Sequence, residues 1–390
     1  MDDVPLRPAA AAAMPVHAEA RLRHIDALRA LAALLVVWLH VSETYVGLAP
    51  GGALPGRGLF ELARGIDVGR IGVVVFFLIS GYVIPSSIRP QSAAPIGTFL
   101  IRRVMRIYPA YWLSIPFAAF ACHWLWGQSF GVRDFLLNLT LLQDVFGAPG
   151  AEGLYWTLLV ELVFYALCVG LLLSHSLARP ARLAVLAGTL ALYASTGMLL
   201  HWLDVTGDAL PLQWLCLNLS VMLCGTLYRS FVDGHAGGAL ARHGTRALFA
   251  FYLVVFPACT AAAIGWHRNA AVPYALGVLL FLAGCGPMRI ASRVTDWLGR
   301  ISYSIYLFHP IVFYPILWWL LRQPAGSAWR SQHLGIYLAI VVVLTLALAN
   351  LVYRVVEAPG IRLGRTFAAR WSARKPAHFD PLPALARATD

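Results

Sequence analysis

The stretch Asp26-Ala-Leu-Arg29-Ala-Leu-Ala-Ala-Leu-Leu-Val-Val-Trp-Leu-His40 decides how this chain is read. It is long and apolar enough to begin a membrane-crossing helix, yet it carries a guanidinium and an imidazole. Such groups are costly in hydrocarbon, so they face a protein interior or a polar cavity and usually mark function. Eleven residues at 100° each bring Arg29 and His40 to within about 20° of one helix face, about 16 Å apart along the axis. A cation near one membrane surface and a titratable ring deeper in suit a long ligand that threads the protein. Asp26 lies at i−3 from Arg29 and can pair with it. The plainer alternative is an ion pair that only anchors the helix at the interface.

The rest of the chain fits a membrane setting. Of 390 residues, 59% are hydrophobic and 12% charged, against about 25% charged in a soluble domain. Mean hydropathy is +0.70. The expected fold is all-α and polytopic, with about ten transmembrane helices. The candidate spans are 26–48, 68–86, 107–126, 153–174, 181–203, 211–228, 246–266, 271–288, 298–321 and 334–356. Residues 133–147 are too short and too polar to cross and are expected to lie at the interface or re-enter. With the N-terminus inside, 22 of the 30 Lys and Arg residues fall on the inner side and seven on the outer, with Arg29 inside a span. That bias places both termini in the cytoplasm. Segments 1–20 and 361–390 are expected as tails flanking a membrane domain over 21–360. No cleavable leader is evident in the first 20 residues.

The net charge of +12 belongs to cytoplasmic loops and gives no reason to invoke nucleic acid. The six cysteines form no CxxC and no cluster with histidine, so neither a disulfide framework nor a metal site is expected. There is no phosphate-binding glycine loop, and function has to reside among the helices.

The other costly residues follow. Glu161 lies in an apolar context, in Tyr155-Trp-Thr-Leu-Leu-Val-Glu161-Leu-Val-Phe-Tyr165. It falls about 10 Å below the outer end of its span, and His40 about 12 Å below the end of its own. A carboxylate at that level could orient the imidazole and balance its charge; a protonated Glu bonded to a neighbouring helix is the alternative. Arg102, Arg103 and Arg106 form a basic cluster at an inner helix end, a pattern that suits phosphate but also ordinary topology or lipid headgroups. Ser80 and Tyr82 offer polar groups at mid-depth in a glycine-rich run whose default role is packing. Tyr306 and His309 share a face at i, i+3, and Pro310 frees a backbone carbonyl beside them.

Together these motifs resemble the acyltransferase-3 family over nearly the whole chain. The pieces are Asp26-x-x-Arg29-x10-His40, the Gly72-to-Tyr82 run, Arg102-Arg103-x-x-Arg106-Ile-x-Pro109, Trp156-x4-Glu161-x-x-Phe164-Tyr165, Ser302-Tyr303-Ser-Ile-Tyr306-Leu-Phe-His309 and Glu357-x-Pro359. The resemblance implies a ten-helix fold in a bacterial inner membrane. It implies transfer of an acyl group, usually acetyl, from cytoplasmic acyl-CoA to a hydroxyl of a surface polysaccharide or lipid-linked glycan. Acetyl-CoA is then a co-substrate and no cofactor is bound permanently. Arg29, Arg102, Arg103 and Arg106 would hold the CoA phosphates, His40 would be the general base and Glu161 its partner. Asp26, Ser80, Tyr82, Tyr306 and His309 would support the site, with Ser80, Tyr306 or His309 as oxyanion donor. An acyl-His intermediate, a small-metabolite acceptor and a non-catalytic glycan or lipid transporter stay open, as does the oligomeric state.

Overall fold

The computed structural model describes residues 16–48, 55–88, 90, 92–203, 205, 210–264, 271–324 and 327–374. Among the described residues fourteen α-helices follow one another: α1 (Val16–Leu48), α2 (Arg57–Gly65), α3 (Val68–Val83), α4 (Pro95–Ala118), α5 (Val132–Thr140), α6 (Tyr155–Leu173) and α7 (Pro180–Trp202). Then come α8 (Leu210–Val232), α9 (Ala239–Ala250), α10 (Phe256–Ile264), α11 (Val272–Cys285), α12 (Arg293–Leu321), α13 (Leu334–Val352) and α14 (Ala358–Ala373). Among the described residues there is no strand.

The protein is an all-α, polytopic membrane protein. Eight helical stretches among the described residues are long and apolar enough to cross a bilayer. The two other expected spans are a 14-residue helix, α11, and the end of α4. That end continues through a π-helical turn at Ala119–His123. The segment 133–147 is short as expected: α5 has nine residues and then turns. The expected boundary at 360 falls inside α14, which packs on α4 with Gly360 and Gly364 against Met105, so the start of the expected C-terminal segment is helical up to Ala373. The outermost parts of both expected tails, 1–15 and 375–390, lie outside the described residues.

Helix α1 packs against both α3 and α12, and α3 packs in turn against α8. Lipid offers no hydrophobic gain for pairing helices, so close backbone approach has to supply the attraction. Here small residues permit it. A Cβ on Gly81 of α3 would run into the Met222 carbonyl of α8, and one on Gly225 of α8 into the Leu78 carbonyl of α3. A Cβ on Gly299 of α12 would meet the Asp26 backbone of α1. That last contact seats α12 beside the start of the Arg29–His40 face.

Four of the six cysteines are buried as small apolar groups, while Cys122 is half-buried and Cys259 exposed; all are free.

Candidate active site

Two cavities meet in the middle of the bundle. The smaller, about 90 Å³ and called inner after the sidedness expected from the sequence, is lined by Arg29, Ser80, Arg103, Arg106, Glu161 and Tyr306, among others. The outer one, about 780 Å³, is lined by His40, Glu43, Asp67, Arg70, Trp156 and Tyr306, among others. Tyr306 and Val73 line both, so these two side chains form the partition between a cationic chamber and an imidazole-bearing one.

The inner chamber collects positive charge. Arg29 Nη1 lies 3.6 Å from Asp26 Oδ1, the i, i+3 pair expected from the sequence. Arg103 Nη2 donates to Ser87 Oγ at 2.5 Å and its guanidinium lies over the Phe99 and Tyr165 rings. Tyr165 in turn donates its hydroxyl to Glu161. Planar guanidinium groups held this way present free donor edges to an anion. Arg102, expected to act with them, lines neither cavity and lies where Gly364 of α14 crosses α4. Spacing alone allows Arg102 or Arg103 to share a face with Arg106, and packing of α14 selects Arg103.

Glu161 lines the inner chamber with Arg29 and Arg106, and not the chamber of His40. The expected Glu161–His40 pair is therefore corrected. Counting residues gives depth along a helix but not which neighbour a side chain faces. The partner of His40 is instead His309, with Nδ1 of His40 3.2 Å from Nε2 of His309. His309 is fully buried. Tyr306, one turn before it, shares a hydrogen bond with Thr157 Oγ1 at 2.7 Å and donates more weakly to the Leu154 carbonyl at 3.3 Å. Ser80 lines the inner chamber, whereas Tyr82 lines neither. The Tyr82 ring packs against Tyr228 and Phe281 with the Arg229 guanidinium 4.9 Å above it, so it belongs to the α3–α8 contact.

The wall facing Tyr306 comes from the loop after α5. Buried Asn138 ties this loop together: its amide donates to the Asp134 and Pro149 carbonyls and its Oδ1 accepts from the Ala151 N–H at 2.9 Å. One side chain using three hydrogen bonds on backbone groups fixes where Leu154 sits.

Two residues were not singled out for a role by sequence reasoning. Glu357 lies on a π-helical turn, Tyr353–Glu357, and is 1% exposed. Its Oε2 accepts from Ser304 Oγ at 2.8 Å, and Arg106 is its strongest charge partner. Sequence reasoning quoted it in a motif but had no way to see that a π turn aims it back at Arg106. Glu152, just before α6, is buried with both carboxyl oxygens lacking a partner. Burial pushes this carboxyl well above the usual carboxylate range. The folded protein then holds its proton more tightly than the unfolded chain does, so the contribution of this group to stability is greatest at low pH. It is lost as pH rises from the ordinary carboxylate range towards the folded value. Glu152→Gln is expected to remove that loss, gaining on the order of 1–3 kcal/mol at pH 8 relative to pH 5. Thermal unfolding in detergent across that range checks it; parallel pH profiles for the two proteins would count against it.

A model of the acyltransferase domain family matches residues 22–354. The chain belongs to the acyltransferase-3 family. Among curated relatives, this acyltransferase is similar to Nodulation protein 10 of Rhizobium leguminosarum bv. viciae, at 28% identity over 91% of this chain and 97% of that one. It is 28% identical to the putative peptidoglycan O-acetyltransferase YrhL of Bacillus subtilis (strain 168), over 86% of this chain and 54% of the relative. Peptidoglycan O-acetyltransferase OatA of Listeria monocytogenes serovar 1/2a is 25% identical, over 86% of this chain and 55% of the relative. The chain thus spans about half the length of those two O-acetyltransferases. No solved structure matches it significantly.

Proposed function

We propose that this membrane acyltransferase moves an acetyl or short acyl group from cytoplasmic acyl-CoA to a hydroxyl of a surface polysaccharide or lipid-linked glycan at a bacterial inner membrane. The observation that carries the reading is the pair of chambers: three arginines on one side of Tyr306, and an imidazole in a roomy cavity on the other. Two co-substrates of different chemistry need two such compartments with their reacting atoms brought to one partition.

The inner chamber is far smaller than the roughly 300–1,000 Å³ of a small-molecule site. The CoA phosphates therefore sit at its mouth, on Arg103 and Arg106, with Arg29 further in. The pantetheine arm widens the chamber as it enters, and the thioester reaches His40 when Tyr306 leaves Thr157. His40 takes the proton from the acceptor hydroxyl as the hydroxyl oxygen attacks the thioester carbonyl. The tetrahedral intermediate collapses, the C–S bond breaks, and the proton passes to the departing CoA sulfur. The Tyr306 hydroxyl, freed from Thr157, is placed to donate to the oxyanion. Asp67 and Arg70, which pair at 3.1 Å, and Trp156 would line the way in for a sugar.

Transfer from labelled acetyl-CoA by purified protein in vesicles tests the reading. Arg29→Ala and Arg103→Ala are expected to raise the KM for acetyl-CoA about 10–100-fold, consistent with about 1.5–3 kcal/mol for each charge-assisted contact. They are expected to leave kcat at saturating donor within a few-fold. A protein that binds no CoA but carries a glycan or lipid across a bilayer would be a transporter, and the reading would fall.

A further inference from the structure

We propose that His309 is a positioning residue that fixes the tautomer of His40, so that Nε2 of His40 is the bare nitrogen that removes the acceptor proton. The proposal rests on the general-base reading of His40 above.

Pro310 leaves a carbonyl of α12 without its helical partner. A proline has no N–H, so the carbonyl four residues earlier in α12, that of Tyr306, loses its helical partner. His309 replaces it: Nδ1 lies 2.8 Å from the Tyr306 carbonyl and 3.2 Å from the Ile305 carbonyl. A carbonyl oxygen only accepts, so Nδ1 of His309 carries a proton. A neutral imidazole carries one proton, which leaves Nε2 of His309 with a lone pair. That lone pair faces Nδ1 of His40 at 3.2 Å, and two lone pairs cannot bond each other. Nδ1 of His40 is therefore the donor, and Nε2 of His40 is the bare nitrogen.

The ring geometry agrees. The two ring planes are 8° apart with centroids 5.5 Å apart. A centroid separation so much longer than the N···N distance puts the bonded nitrogens between the ring centres, as in an end-to-end hydrogen bond rather than a face-to-face stack. Near-parallel planes then align the donor N–H, which lies in its ring plane, with the in-plane lone pair of the acceptor.

A charged alternative is costly. An imidazolium at His309 would sit fully buried with both nitrogens bearing protons, one of them aimed at His40. Among the described residues no carboxylate hydrogen-bonds to either ring, and an uncompensated buried charge is strongly unfavourable. The relay is thus neutral throughout: Tyr306 carbonyl, His309, His40. In a Ser-His-Asp arrangement a carboxylate holds the imidazole in the needed tautomer. Here a second imidazole does it, backed by a carbonyl that proline has released. The bare Nε2 takes the hydroxyl proton and returns it to the CoA sulfur, so the pair ends as it began. The same nitrogen is the one required if it attacks the thioester itself.

Nitrogen-15 NMR of histidine-labelled protein in nanodiscs tests the assignment, with the His40 signals identified by their loss in His40→Gln. The expected spectrum at neutral pH has a protonated Nδ1 and a bare Nε2 on His40. In His309→Ala the two tautomers of His40 are expected to mix, and kcat to fall about 10²–10⁴-fold with the KM for acetyl-CoA held within about twofold. His309→Gln, whose side-chain oxygen can still accept from Nδ1, is expected to recover at least about tenfold of that loss. A protonated Nε2 on His40 in active wild-type protein would overturn the proposal, and so would a folded His309→Ala protein with wild-type kcat and spectrum. Wild-type protein that transfers no acyl group would instead remove the acyltransfer reading itself, while the spectrum would still decide the tautomer.

Discussion

Replacing His40 with alanine is expected to lower acyl transfer at least about 10³-fold while leaving CoA binding and the fold in place. The size follows from the role. General-base catalysis contributes typically about 10²–10⁴-fold, and this residue is also the only imidazole lining the outer chamber among the described residues. The selectivity follows from position. His40 lies in the outer chamber, on the far side of Tyr306 from Arg29, Arg103 and Arg106, so under the proposed function its removal leaves the donor site untouched. Its ring is half-buried and its hydrogen-bond partner is a neutral ring, so no unpaired charge is left behind. Turnover with labelled acetyl-CoA and equilibrium binding of CoA, measured on the same preparation, check both halves. A variant that keeps the wild-type rate would remove His40 from the mechanism. A variant that loses CoA binding as well would show that the two chambers are not separate in function.

How far the site could be read from the sequence depends on what connects its parts. Asp26 and Arg29 are three residues apart on one helix, and their pairing is local geometry. The approach of α1 to the site is local too, because the 3.6 period puts Arg29 and His40 on one face. The His40–His309 bond spans 269 residues. A depth count places His40 about 12 Å below the outer end of its helix, but azimuth between two helices is set by packing, here by Gly299 against the Asp26 backbone. The same gap misdirected Glu161, whose depth was compatible with His40 but whose face is turned to the arginines. The choice of Arg103 over Arg102 needed α14, a helix that sequence reasoning treated as tail.

The hydrophobic count of ten spans also has a physical limit. Two of the ten segments carry too many charges or too few residues to stand as crossing helices by themselves. The segment from residue 107 is only the C-terminal half of α4, which carries Pro109 and Pro116 inside the helix. There, α4 gains its place from neighbours such as α14 and α12, with Tyr303 of α12 donating to the Ile107 carbonyl at 2.9 Å.

Glu357→Gln is expected to destabilise the ligand-free protein by about 3–5 kcal/mol, the usual cost of stripping a buried charge of its partner. The glutamine keeps an oxygen that can accept from Ser304, so the hydrogen bond seen at 2.8 Å is not what is lost. The loss is electrostatic: Arg106 is the strongest charge partner of Glu357, with Arg29 contributing more weakly, and both arginines line the inner chamber. Removing the carboxylate leaves that chamber with an uncompensated excess of positive charge. An anion that binds there should then restore what the mutation removed. Under the proposed function, CoA supplies that anion, so saturating CoA is expected to raise the unfolding temperature of Glu357→Gln by more than it raises that of the wild type. Glu357→Ala, which also leaves the Ser304 hydroxyl without its acceptor, should be less stable still and be rescued by CoA to a similar increment. Thermal unfolding of the three proteins in detergent, with and without CoA, measures this coupling. Equal CoA-induced shifts in all three would mean that the arginines of the inner chamber do not hold the donor's phosphates, and would place that site elsewhere on the protein.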